Sequence, residues 1–399
     1  MMIMPETFLK AMILTHGVQF TDEALLYARK TNAKIQNLVY NAPIGADNFR
    51  PQELLIRHSD GFETVSSCVA PGKLKPVVVD CKNGELFATV DNRKVEDISI
   101  SFIEEPDYYS YKLEEDLVAK DFVSACGLDE LNIIPWKGCN ISAGCLFCGA
   151  NTVAGENKAS IFTAYQVSSP NFWNENKDTY LNYLTKSVKA AIKSKCYDEH
   201  MHVILISGDL SDQVLDMQAH IYCDIVRAIK PLVEKKSTEG IIAVCMPPND
   251  LDILEDFKEA GIEKIVFNFE LGNEDDFAKY CPGKRNIGFN HILDALKKGV
   301  DVFGYGNSWT NFVLGLEPIG NLLKFNQYLA FQGIVSSANV LHLDKGNRLD
   351  CDVPSFETVI EYFYSLDKIL KEYNLDPFYC SKALRTSLSN EARFNRIVL

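Results

Sequence analysis

Three cysteines, Cys139, Cys145 and Cys148, fall within ten residues in the run Trp136-Lys-Gly-Cys-Asn-Ile-Ser-Ala-Gly-Cys-Leu-Phe-Cys-Gly149. Thiolates this close in sequence converge only if the chain curls into a tight loop. The small residues Ser142, Ala143, Gly144 and Gly149 permit that curl. Four cysteines ordinarily fill a cubane [4Fe–4S] cluster. Three leave one iron open, and an open iron is a site for chemistry rather than for electron relay alone. The competing reading is a zinc site completed by a histidine or a distant cysteine. Five intervening residues and then two is a loose spacing for a zinc knuckle, and no second C-x-x-C occurs.

The elements around this loop tell where it sits. From about Ile133 onward, apolar runs expected to be strands alternate with helical stretches. The strand candidates are Leu131–Ile134, His202–Ser207, Gly240–Cys245, Lys264–Phe269, Val300–Tyr305, Asn311–Leu316 and Asn339–His342. The helix candidates between and after them are 179–193, 211–229, 250–260, 287–298, 317–331 and 355–373. Buried strands joined by helices of this length imply a parallel sheet with right-handed crossovers. About six such units point to an α/β barrel, complete or partial. No G-x-G-x-x-G follows the first strand and no Walker loop occurs, so a dinucleotide fold or a P-loop is not expected.

The first 125 residues follow another pattern. A helix is expected over 22–30, and short extended runs at 53–57, 75–80, 86–90 and 97–102, with a hairpin turn at Asn83-Gly84. Residues 1–125 therefore read as a mixed, β-rich accessory domain, with an acidic linker near Glu104–Asp116. Residues 126–399 read as the barrel domain with a C-terminal helical extension.

A formal net charge of −14 argues against a nucleic-acid partner, which would call for basic surface. No apolar run is long enough to span a membrane, and Met1–Lys10 lacks a secretory pattern, so a cytoplasmic location is expected. Of twelve cysteines, the nine outside the loop are scattered singly, as small buried hydrophobes of a reducing compartment would be. Cys281 and Cys380 have a second reading as a cluster ligand, a covalent tether or a hydrogen-atom donor, but plain burial is favoured for each.

The loop resembles that of the radical S-adenosylmethionine superfamily, where a loop after the first barrel strand carries the cluster and an aromatic residue, here Phe147, precedes the last cysteine. The usual spacing there is three then two. Five then two is similar to the subgroup that includes the maturase of the iron–guanylylpyridinol cofactor of a methanogen hydrogenase. Further elements fall in the same order. Ser207-Gly208-Asp209 resembles the Gly-Gly-Glu element that receives the methionine ammonium. Asn268-Phe-Glu270 resembles the Asn-x-Glu/Asp of the biotin synthase-like and hydrogenase-maturase branches, although either residue alone would also serve to cap the next helix. Tyr280-Cys-Pro-Gly-Lys-Arg285 and the run from Val302 through Gly315 to Glu317 resemble the subgroup as well. The latter reads as two adjacent strands whose glycines would let a nucleoside lie on bare backbone. Neighbouring branches often place an arginine where this chain has Ile292. His291, Lys284 and Arg285 remain open as partners for the cofactor carboxylate.

The resemblance implies a [4Fe–4S] cluster on Cys139, Cys145 and Cys148. It implies S-adenosylmethionine bound by Phe147, Ser207, Gly208, Asp209, Asn268, Glu270, Gly315 and Glu317. Reductive cleavage of that cofactor would give a 5′-deoxyadenosyl radical that abstracts hydrogen from a substrate. A small-molecule biosynthetic substrate ranks first, ahead of peptide modification and methyl or alkyl transfer. The implied partners are that substrate and an electron donor such as flavodoxin or ferredoxin. The rival from another class is a non-catalytic iron–sulfur or zinc protein. No residue is singled out as the catalytic hydrogen donor.

Overall fold

The computed structural model describes residues 2–35, 49–150, 161–237, 240–343, 346–377 and 384–398. Cys380 lies outside them. Two seven-stranded sheets organise the chain.

The larger is a curled half-barrel whose strands lie side by side in chain order. They are Val123–Cys126, Glu130–Ile133, His202–Ile206, Ile241–Val244, Lys264–Val266, Ser308–Leu314 and Ile334–Val340. All neighbours pair parallel except the first two, which form an antiparallel hairpin at the edge. That edge strand crosses the expected boundary at residue 125. The strands are buried and carry Ile, Val and Leu at successive positions, as a parallel sheet covered by helices requires.

Two strand expectations need correction. Residues 300–305 are not a strand, because the helix Phe289–Phe303 runs through most of them. Its buried residues Ile292, Ala295, Leu296, Gly299, Val302 and Phe303 recur at helical spacing, and Gly304 ends it at φ 94°. The final strand is Ile334–Val340, several residues earlier than Asn339–His342. The run Ile-Val-Ser-Ser-Ala hides it, because Ser336 and Ser337 are fully buried polar residues.

The smaller sheet orders its strands as Val18–Phe20, Val77–Lys82, Glu85–Val90, Ile98–Phe102, Glu53–His58 and Glu63–Ser67, with Arg93–Lys94 on the flank of Glu85–Val90. It has its own apolar cluster, including Leu9, Ile13, Val18, Leu54, Ile56 and Val79, beneath the helices Pro5–His16 and Asp22–Lys30. Asn83 and Gly84 turn the hairpin with φ of 55° and 81°. The stretch 104–116 is no plain linker. Tyr108 and Tyr109 are buried in the larger core, and the Tyr109 hydroxyl accepts the Ala125 N–H at 2.9 Å.

Buried charge joins this sheet to the C-terminal tail. Lys10 donates to Glu391 at 2.7 Å, to Thr64 at 3.1 Å and to the Leu384 carbonyl at 2.8 Å. Glu53 receives Lys34 and Arg385, each at 2.6 Å. Met2–Ile3 pairs with Ile397–Val398, so the two ends of the described chain meet.

Candidate functional site

The carboxyl ends of the parallel strands present a single edge, and the candidate residues gather there. Trp136 follows the strand Glu130–Ile133. It is fully buried, 5.8 Å from the Tyr222 ring, and its indole N–H donates to the Gly208 carbonyl. This anchors the start of the cysteine loop on the next strand's end. Asn140 adds a backbone bond from its N–H to the Asp209 carbonyl, 2.8 Å. Gly208 is required by packing: a Cβ there would lie 2.4 Å from the Gly138 carbonyl oxygen and 2.6 Å from the Cys139 Cβ. The resemblance between Ser207-Gly208-Asp209 and a cofactor element thus has a second physical use, which is to seat the loop.

The loop then turns through Ala143 and Gly144, both left-handed at φ 63° and 55°. Arg348, invisible as a motif, fastens it: the guanidinium donates to the Ala143 carbonyl at 2.6 Å and the Cys145 carbonyl at 3.2 Å, and the Arg348 N–H reaches the Leu146 carbonyl at 2.7 Å. From the other side, the loop Tyr280–Arg285 docks on it. Leu146 N–H donates to the Tyr280 carbonyl (2.8 Å) and Gly283 N–H to the Gly144 carbonyl (3.1 Å). Gly283 is another close approach, since a Cβ would meet the Ser142 carbonyl at 2.5 Å.

The thiols are not equivalent. Burial, with a contribution from Asp209, pushes Cys139 up to about 12, and burial pushes Cys148 up to about 11. Cys145 is lowered instead, first by a hydrogen bond from the Cys281 thiol and then by the nearby Lys284 ammonium, against burial. Lys284 is buried and donates to Glu270 at 2.7 Å and to the Asn268 carbonyl at 3.2 Å. Burial works to neutralise it, yet Glu270, Cys145, Cys281 and Asp209 together hold its ammonium above the ordinary lysine value.

Asn268 and Glu270 are half-buried and alternate with the fully buried Phe267 and Phe269. Neither caps the following helix, because Asn273 does so by accepting the N–H groups of Asp275 and Asp276. The Asn268 amide oxygen accepts the Asn311 N–H at 3.1 Å. Glu270 has a left-handed φ of 68°, uncommon for a residue with a Cβ. It is held there between strands by Glu270 N–H to Asn311 carbonyl (3.0 Å) and Val313 N–H to Glu270 carbonyl (2.7 Å).

Asp209 is buried, and its Oδ1 accepts from Gln218 at 2.9 Å and from the Met246 N–H at 2.7 Å. Burial raises its carboxyl. Glu317 accepts the Gly272 N–H at 2.6 Å on one oxygen, while its Oε2 is a buried atom without a hydrogen-bond partner. Burial pushes this carboxyl up to about 7. Phe147 is half-buried against the core. The space beside Gly315 is taken by the Pro354 ring.

Two expectations about this edge change. Gly304 and Gly306 do not line it, because they precede the strand Ser308–Leu314 and so sit at the opposite edge of the sheet. Of the three candidate cations left open, His291 hydrogen-bonds the Pro248 carbonyl (2.8 Å), Arg285 is exposed, and Lys284 alone lies among the candidate site residues. Ile292 is wholly in the core. A cavity of about 490 Å³, lined by Lys34, Ala125, Cys196 and Met201 among others, also lies at the opposite edge, where the strands begin. The chemistry-bearing groups converge on the carboxyl edge instead.

Among the described residues no three His, Cys, Asp or Glu side chains are arranged about one point as ligands of a single ion. A cubane asks for something else, one thiolate at each of three separate irons. The donor set fits that group: three thiols on one loop, fastened by Trp136, Arg348 and the Tyr280–Arg285 loop. Cluster assembly would displace the protons that burial keeps on Cys139 and Cys148.

No family model matches the chain. Over 148 residues it is 31% identical to the bacteriochlorophyllide c C-7(1)-hydroxylase of Chlorobaculum limnaeum, a match covering 35% of this chain and 36% of that one. The chain thus matches little more than a third of that relative's length. Among solved structures, the FeFe-hydrogenase maturase HydG of Carboxydothermus hydrogenoformans superposes with a TM-score of 0.39 at 13% identity, covering 61% of this chain and 51% of that one. A radical SAM methyltransferase from Sphaerobacter thermophilus gives 0.36 at 12% identity, with 88% and 78% covered. Likenesses this loose bear on neither substrate nor reaction.

Proposed function

We propose that this chain is a radical S-adenosylmethionine enzyme acting on a small-molecule biosynthetic substrate. One observation carries the reading. The three-cysteine loop is fastened at the carboxyl edge of the first parallel strand, directly against Ser207–Asp209 and within reach of the Asn268–Glu270 strand end and the buried Lys284. The 31% identity to a hydroxylase supports an enzyme, and a small-molecule substrate in particular.

In this reading Cys139, Cys145 and Cys148 hold a [4Fe–4S] cluster. When bound, that group supplies one electron to break a carbon–sulfur bond of S-adenosylmethionine, making a radical that takes hydrogen from the substrate. The rest is the work of the chain's own groups. Asp209 and Glu270 present carboxylates to the cofactor's ammonium and ribose, Asn268 keeps the neighbouring strand in register, and Lys284 offsets their charge beside the cofactor carboxylate. Phe147 packs its half-buried ring against the core beside the last cysteine. The curled sheet confines a reactive species behind side chains rather than water. Residues 1–125, in this proposal, are an accessory unit, and a flavodoxin or ferredoxin supplies the electron. Among the described residues no helix is long and apolar enough to cross a membrane.

The test is turnover. Reconstituted protein given S-adenosylmethionine and a low-potential reductant forms 5′-deoxyadenosine. Protein with Cys145→Ala forms none. Equal formation by both would overturn the proposal.

A further inference from the structure

The sheet that carries the site is open. Its parallel strands run from Glu130–Ile133 to Ile334–Val340, and among the described residues no ladder joins those two. At the carboxyl edge they are joined all the same, by loops. The chain leaving the last strand reaches the cysteine loop that leaves the first, and Arg348 makes the contact. Its backbone N–H donates to the Leu146 carbonyl at 2.7 Å, and its Nη2 donates to the Ala143 carbonyl at 2.6 Å and the Cys145 carbonyl at 3.2 Å. The contact has a firm base. Leu349 N–H donates to the Asn347 side chain at 3.1 Å, and Leu349 and Cys351 pack on the core. Among the described residues no carboxylate pairs with the Arg348 guanidinium, which is turned to these carbonyls instead.

What these bonds hold is a turn that is strained on its own. Ala143 and Gly144 are both left-handed, at φ 63° and 55°. Glycine adopts that backbone freely, whereas alanine does so with its Cβ crowded against the main chain. The turn lies between Cys139 and Cys145, so its shape sets where the second thiol falls relative to the first.

We propose that Arg348 is a positioning residue for the cluster: it clasps the Ala143–Gly144 turn across the open barrel and so fixes Cys145 where the cluster needs it. The inference rests on the function proposed above. Arginine suits this use, because its planar donors keep a fixed direction, whereas a lysine ammonium is a point charge on a flexible stem.

The experiment follows iron loss to a chelator, bathophenanthroline disulfonate, from the anaerobically reconstituted full chain. It compares wild type, Arg348→Gln, Arg348→Lys, and Arg348→Gln combined with Ala143→Gly. Starting iron is counted so that rates refer to bound cluster, the EPR line shape of the reduced cluster is recorded, and the iron-free chains are denatured as a control. Arg348→Gln is expected to lose iron roughly tenfold faster, the size of one hydrogen bond from a charged group. Its EPR line shape changes while its iron-free chain unfolds as wild type does, because Arg348 is exposed. Adding Ala143→Gly slows the loss again by roughly threefold, since glycine keeps the left-handed turn without the clasp. Arg348→Lys stays nearer the glutamine variant than wild type. An unchanged rate in Arg348→Gln overturns the inference. Full recovery by Arg348→Lys overturns it too, by assigning the effect to charge alone, as does an Ala143→Gly change that fails to slow the loss. Earlier unfolding of the iron-free Arg348→Gln chain also overturns it, by making Arg348 a residue of the fold. A wild type that takes up no iron overturns the function beneath it, and this inference falls with it.

Discussion

Two lysines of this chain, Lys10 and Lys284, are both buried and both paired with a glutamate, yet their surroundings drive them in opposite directions. Lys10, where the N-terminal helix meets the C-terminal tail, has one carboxylate, Glu391. Burial outweighs that partner, and the Lys10 ammonium is lowered from the ordinary value. Lys284, beneath the cysteine loop, is raised despite equal burial, because Glu270, Cys145, Cys281 and Asp209 all face it. The first is a matched pair whose job is to join two parts of a fold. The second is a lone cation among several potential anions, an arrangement a folded core would not choose for stability. Groups that can give up protons there are suited to receiving positive charge from outside: in the proposed function, irons at the thiolates and the cofactor's ammonium and sulfonium.

The largest break in that comparison removes a thiolate. Cys139→Ala, Cys145→Ala or Cys148→Ala is expected to drop bound iron from about four per chain to near zero in a colorimetric iron assay. Lys10→Met should keep iron stoichiometry while losing about 3–5 kcal/mol in chemical denaturation, since Glu391 is left buried without its cation. If Lys10→Met lost iron as the cysteine variants do, the two regions would not be separable.

Gly208→Ala sharpens the contrast from the site's side. Its new Cβ would press on the Gly138 carbonyl and Cys139, costing about 1–3 kcal/mol and lowering iron incorporation together.

Glu317→Gln is a smaller, pH-dependent effect. The folded-state carboxyl is raised to about 7 from an ordinary 4.5, so the folded chain holds the proton more tightly than the unfolded chain. Its contribution to stability is full below about 4.5 and is lost as pH rises through about 7. The glutamine variant should match wild type at low pH and exceed it by on the order of 1–2 kcal/mol at pH 8, solvent at the carboxyl trimming the full shift. Denaturation at both pH values checks the sign. Smallest of all, Lys73→Ala removes a pair with Asp352 in which both side chains are about four-fifths exposed, and melting should show no change.

How much of this was visible in the residues divides along physical lines. The parallel strands at 202–206, 241–244 and 264–266 are apolar runs bounded by polar turns, and such runs announce buried strands. The helix Pro5–His16 was missed because Glu6, Thr7 and Lys10 are buried in it, Glu6 paired with Arg396 and Lys10 with Glu391 from the far end of the chain, and Thr7 donating to Glu6. Its pattern is therefore not amphipathic. The cysteine loop was legible because its three thiols are close in sequence. Arg348 and Gln218 were not, because each acts on the loop or on Asp209 through a contact made only by folding. Val300–Phe303 misled because an apolar run fits either period, and only Ile292 through Phe303 taken together shows the helical one.

The central claim is that the loop of Cys139, Cys145 and Cys148 beside Lys284 holds an open-iron cluster that meets S-adenosylmethionine. It is tested most directly by low-temperature EPR of the anaerobically reconstituted, reduced protein with and without that molecule. The account predicts a [4Fe–4S]⁺ signal whose shape changes when S-adenosylmethionine is added, with Lys10→Met behaving as wild type. A bound zinc, or a cluster signal indifferent to S-adenosylmethionine, would contradict it.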